Sequence, residues 1–233
     1  MSRKNGRDYL YLIWKHPETR RHYIVGILSK NGVFEFEYGP EFSLAKTAGF
    51  NGIEAFKEID KKYQSEKLFP VFASRLPDRK RRDIDKILQK YNLDEYDEYL
   101  LLKKSGAKLP IDAFQFVDPI LADEYPVSRN FNIAGVRYYL PCNGKDCTKQ
   151  TSVDVDEHLY LSPELSNEHD PNAVVVYNSK KEKIGYIPRY YAKPIQQMIK
   201  ENRKITCIVT DVNKNNTYSQ CLGDCIKVNL YIE

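Results

Sequence analysis

The spacing of apolar residues changes twice along these 233 residues, which limits the chain to folds that mix sheets with helices. Tyr9–Trp14 and Tyr23–Leu28 are rich in β-formers, and Val33–Tyr38 alternates apolar with charged residues. Asn31-Gly32, between the last two, predicts a hairpin with a tight turn. From residue 53 the period becomes helical. Ile53–Tyr63, Pro70–Leu76, Lys80–Tyr91 and Glu95–Lys104 are predicted helices, with Ile84, Ile87, Leu88 and Tyr91 on one face of the third. Asp78 and Asp94 are placed as N-caps, and Gly106 as a C-terminal stop. Phe114–Val117 is a return to the sheet. The second half is mostly strands, with one helix from Tyr191 to Glu201 whose face is Ile195, Met198 and Ile199.

The expected class is therefore α+β, with a sheet carrying helices in the N-terminal half and mostly strands with one or two helices in the C-terminal half. Residues 118–130 carry two prolines and little periodicity. They place a linker at 121–130, between domains at 1–120 and 131–233. A length of 233 residues gives each domain room for a core. A hydrophobic share of 42% excludes a disordered chain.

Net charge is +4 and evenly spread: 22 basic against 20 acidic residues in 1–126, and 14 against 12 in 127–233. A nucleic-acid surface must then come from local arrangement. No apolar run approaches the roughly 18 residues of a membrane span. Met1–Arg7 has charges without an apolar core behind them, so a cytoplasmic protein is expected. Its five cysteines then favour reduced thiols or metal ligation over disulfides.

Three motifs follow one another in the second half. They are Gly135-Val136-Arg137-Tyr138-Tyr139, then Leu165-Ser166-Asn167-Glu168-His169-Asp170-Pro171-Asn172-Ala173-Val174, then Gly185-Tyr186-Ile187-Pro188-Arg189. Stacking rings, guanidinium groups and short acceptors are what a surface for unpaired nucleotides requires. In a strand, Tyr138 and Tyr139 would face opposite sides, and Arg137 would share a face with Tyr139. The plain alternatives are a strand with a surface arginine, and a turn whose Asn and Asp satisfy only local backbone.

Together the motifs resemble the HIRAN domain, a small β-barrel module, over roughly residues 131–218. In helicase-like fork-remodelling proteins that family holds the 3′ end of single-stranded DNA. The resemblance implies DNA contacts at Arg137, Tyr138, Tyr139, Asn167 and Asp170, at Tyr186 and Arg189 after Gly185, and at Tyr218 as a stacking aromatic. In the best-known members the counterpart of Asp170 accepts from the free 3′-hydroxyl. A carboxylate welcomes that donor and repels a terminal phosphate. One departure is a longer loop holding Cys142 and Cys147, with Cys221 and Cys225 near the end. If these loops meet, the four thiolates would form a closed structural zinc site; the alternative is reduced thiols in loops. Cys207, on an apolar run, is placed in the core.

Roughly residues 8–118 resemble the amino-terminal subdomain of HipA-type toxin kinases, through Leu68–Pro77, Leu101-Leu102 and Ile111–Phe116. That subdomain is a small barrel with helices, which the resemblance implies for this half; it lacks catalytic residues and serves packing and protein contact. Arg79-Lys80-Arg81-Arg82 places four cations in the first turn of a predicted helix, where the macrodipole disfavours them. They are expected to be neutralised by Asp78, Asp83 and Asp85, or to touch a phosphate backbone.

The function expected is a non-enzymatic binder of single-stranded DNA 3′ ends, with a protein partner for the N-terminal domain and no membrane. A bacterial repair, replication or mobile-element setting would suit it. The alternative is a protein-interaction adaptor, a toxin–antitoxin or defence component that does not touch DNA. An enzyme is not expected: no P-loop is present, and no Ser/His/Asp, Cys/His or paired-carboxylate arrangement is supported by spacing.

Overall fold

The computed structural model describes residues 8–121, 125–139, 153–212 and 225–233. Its contacts divide the chain into Met1–Pro119 and Ile120–Glu233.

In the first unit, β1 (Tyr9–Lys15), β2 (His22–Asn31) and β3 (Val33–Tyr38) form an antiparallel meander. The predicted hairpin turns at Gly32, whose φ of 84° suits glycine. The elements α1 (Phe42–Thr47), β4 (Tyr63–Ser65), α2 (Pro70–Ala73), α3 (Ile84–Lys90), α4 (Glu98–Ser105) and β5 (Phe114–Val117) follow. The sheet order is β4-β3-β2-β1-β5. Its core is aromatic: Phe36 stacks on Phe56 at 4.2 Å and meets Phe72 edge-on, which in turn meets Phe116.

The helices differ from expectation in three places. Ile53–Tyr63 is not helical. Tyr38 donates to the Phe56 carbonyl at 2.7 Å and accepts from Ile53 N–H at 3.0 Å, which holds this segment as a loop with Phe56 in the core. A short helix, α1, forms instead at 42–47. The third helix begins at Ile84, because Asp78 bonds Lys80 N–H at 2.7 Å and Arg81 pairs with Asp83. Arg79–Arg82 thus precede the helix rather than filling its first turn. The cap of α4 is Asp97, accepting from Leu100 N–H at 2.9 Å, not Asp94. Gly106 ends α4 at φ 70° as predicted.

The second unit opens with β6 (Val127–Asn132), so residues 127–130 are strand where a linker was expected. It continues through a 3₁₀ turn (Val136–Tyr138), β7 (His158–Pro163), β8 (Val174–Tyr177), β9 (Lys183–Tyr186), α5 (Arg189–Lys200), β10 (Ile205–Val212) and β11 (Ile226–Ile232). The sheet runs β6-β11-β10-β7-β8-β9 with antiparallel neighbours. Just past β6, Ala134 exchanges both backbone hydrogen bonds with Tyr186 of β9, at 2.8 and 2.9 Å. That bridge joins the two sheet edges and curls the sheet into a small barrel. Helix α5 starts two residues before Tyr191, and buries Tyr191, Ala192, Ile195, Gln196 and Met198.

Candidate nucleic-acid interface

The bridge at Ala134 is followed by Gly135, whose φ of 73° turns the chain out of the strand direction. Residues 136–138 then form the 3₁₀ turn, so Arg137, Tyr138 and Tyr139 do not alternate as a strand. The expected sharing of a face by Arg137 and Tyr139 gives way to a different pairing. Arg137 lies with its guanidinium carbon 4.7 Å from the Tyr138 ring centroid and donates to the Tyr138 hydroxyl at 2.6 Å. Tyr138 is 69% exposed and Tyr139 39%. Both rings are thus open, where the strand reading allowed only one. A side chain at Gly135 would lie 3.7 Å from Tyr186 Cδ2 and 3.9 Å from Tyr138 Cδ2, so those two rings flank one spot.

The second motif is the β7–β8 turn. Asn167 Oδ1 accepts from the N–H groups of His169 and Asp170, each at 2.9 Å. Asp170 Oδ1 accepts from Asn172 N–H at 2.9 Å. The motif folds the loop on itself, as Asx turns do. Gln196 of α5 pins it from below, donating to the Pro171 carbonyl at 3.2 Å. Arg189, first residue of α5, places Nη1 3.8 Å from Asp170 Oδ2.

The third motif joins the other two. Tyr139 donates to the Tyr186 hydroxyl at 3.1 Å, and the rings meet edge-to-face at 5.8 Å. Tyr186 donates to Glu164 Oε2 at 2.8 Å, which also accepts from Asn167 Nδ2 at 2.6 Å. Lys183 Nζ donates to Glu164 Oε1 at 2.8 Å and to the Tyr186 hydroxyl at 2.7 Å. The bond from Lys183, then that from Asn167, holds the Glu164 carboxyl down at about 2. Burial works against the Lys183 charge, but Glu164 and Tyr186 outweigh it and raise its pKa. Burial, above all, pushes the Tyr186 phenol up to about 12.

Arg137, Tyr138, Tyr139, Asn167, Asp170, Tyr186 and Arg189 therefore form one continuous constellation. Glu164 and Lys183, which the motifs did not single out, tie it together. Simple alternation puts Lys183 and Tyr186 on opposite faces of β9. The register shift opposite Tyr177 and the φ of 153° at Gly185 bring them to the same side, and neither is written in the residue types.

Residues 127–228 match the HIRAN domain family. The second unit carries a HIRAN domain. Among solved structures, the chain is similar to the crystal structure of the HIRAN domain of human HLTF (19% identity, 45% of this chain, 74% of that one, TM-score 0.35). It is also similar to the crystal structure of a protein from Lactobacillus plantarum (20% identity, 46% and 97%, TM-score 0.34). A third likeness is to the NMR structure of the HLTF HIRAN domain in its DNA-bound conformation (17% identity, 46% and 75%, TM-score 0.32). No curated protein matches the chain.

Within the HIRAN domain, Tyr218 and the cysteines Cys142, Cys147 and Cys221 lie outside the described residues. Cys225, the remaining member of the expected zinc set, is buried just before β11. Cys207 is in the core as expected, and burial pushes its thiol up to about 12. Among the described residues, no helix is long and apolar enough to cross a membrane.

Proposed function

We propose that the HIRAN domain captures the 3′ end of single-stranded DNA and performs no chemistry on it. The observation that carries this reading is the exposed Tyr138 ring backed by Arg137, continuous through Tyr139 and Tyr186 with the turn that presents Asp170. A base stacks on an open tyrosine, a guanidinium takes the adjoining phosphate, and a carboxylate accepts from a terminal hydroxyl. The family match over residues 127–228 supports nucleic acid as the ligand class.

The test is fluorescence anisotropy of the full chain with a short oligo-dT ending in either a 3′-hydroxyl or a 3′-phosphate. The hydroxyl oligo is expected to bind more tightly. Arg137→Ala and Asp170→Asn should each weaken it about tenfold, the loss of one charge-assisted contact. Asn keeps the acceptor that Asn172 N–H uses, so a loss there reports charge and not turn geometry. Affinity should also fall as salt rises, through counterion release. Absence of binding to either oligo at low salt would leave a protein-contact adaptor as the better reading.

A further inference from the structure

Lys183 has the position of a ligand-binding cation but not its availability. An ammonium has three donors. One goes to Glu164 Oε1 and one to the Tyr186 hydroxyl. Its Nζ lies 4.5 Å from the Tyr186 ring centroid and 4.8 Å from that of Tyr139, so two rings and a carboxylate flank it, and its side chain is 25% exposed. Arg189 stands beside Asp170. Among the described residues, Arg137 is the cation of this face that has no carboxylate partner. It is bonded to a phenol instead.

Lys183 is also close to where a strand end would lie. It shares the Tyr186 hydroxyl with Asn167 Nδ2, which reaches that oxygen at 3.3 Å. A single hydroxyl, hydrogen-bonded to each of them, therefore separates it from the turn that presents Asp170.

We propose that Glu164 is a specificity-determining residue: by occupying the Lys183 ammonium, it withholds from the ligand a cation that would otherwise bind a terminal phosphate. This rests on the 3′-end reading above and deepens it. Rejection of a phosphorylated end then has two sources, repulsion by Asp170 and the sequestration of Lys183. The strongly ionised state of Glu164 fits that role, since a protonated carboxyl would release the lysine.

The two oligonucleotides, 3′-hydroxyl and 3′-phosphate, give the test with the full chain. Glu164→Gln should narrow the preference for hydroxyl by about fivefold or more, through tighter binding of the phosphate oligo. In the double variant with Lys183→Met that gain should vanish. Lys183→Met alone leaves the Glu164 charge uncompensated, so rejection of the phosphate should become severalfold stronger. This opposite sign keeps the idea testable should Glu164→Gln lose its native near-UV spectrum. A readout without DNA is competitive acetylation followed by mass spectrometry, in which Lys183 should react several times faster in Glu164→Gln than in wild type.

Equal changes for both oligos, or a gain that survives in the double variant, would overturn the assignment to Glu164 while leaving end capture intact. A wild-type chain that binds neither oligo would overturn end capture, and this inference with it.

Discussion

Gly185 shows how much one residue's freedom decides here. A Cβ at that position would sit 2.6 Å from both the Ala134 carbonyl oxygen and Ile133 Cγ2, and its φ of 153° is one that side chains rarely adopt. Gly185→Ala should therefore lower stability by about 2–4 kcal/mol, combining backbone strain with overpacking. A urea melt at the wild-type midpoint would show that the barrel edges do not approach so closely. The sequence displayed this glycine as part of a motif but not the reason for it. Asn167 presents the converse case. Its residue type suited both a turn and a ligand contact, and the geometry engages both of its polar atoms within the protein, the oxygen with two backbone N–H groups and the nitrogen with Glu164 and Tyr186. Asp170 gives one oxygen to the turn and sets the other 3.8 Å from Arg189. Residue types alone could not separate these roles, because both asparagine and aspartate build Asx turns.

Among elements, strands were more legible than helices. Alternation and the Asn-Gly turn located β1 to β3, and Phe114–Val117 is β5. The helical periodicity at 53–63 misled, since the hydroxyl of Tyr38, remote in sequence, fixes that segment as a loop. Arg75 is a similar long-range clasp. It follows α2, its side chain is only 7% exposed, and it reaches three partners before or within β5. Nε donates to the Ala107 carbonyl at 3.0 Å, and Nη2 to Asp112 Oδ1 at 2.9 Å and the Phe114 carbonyl at 3.1 Å. Removing it strands a carboxylate and two carbonyls. Arg75→Met should cost about 3 kcal/mol or more. A change under 1 kcal/mol in the urea transition would mean that water replaces the guanidinium freely. The 3₁₀ turn at 136–138 was hidden for a different reason: β-forming tyrosines favoured a strand, and Gly135 overrode them.

At the scale of the molecule, carboxylates held in the charged form make both units sensitive to acid. Burial opposes ionisation at Asp97 and Asp112, but Leu100 N–H and Lys30 in the first case and Arg75 in the second bring each below its usual range. Glu164, at about 2 against an ordinary 4.5, does the same in the HIRAN domain. Each folded state prefers the charged carboxylate. Its contribution is complete above the unfolded pKa and is lost as pH falls toward the folded one. The stability gap between wild type and Glu164→Gln should thus be largest at neutral pH and close between about pH 4.5 and 2. A gap that stays constant in urea melts over that range would mean the Glu164–Lys183 pair does not form. Composition and periodicity announced an α+β chain, while the ion pairs that couple distant segments came only with the fold. The Ala134–Tyr186 bridge carries this coupling furthest. The main chain of Tyr186 latches the barrel, and its side chain stands at the centre of the presented surface. Under the proposed function, breathing at that latch would scatter the recognition groups in the same event, so closure of the domain and readiness to bind would be a single degree of freedom.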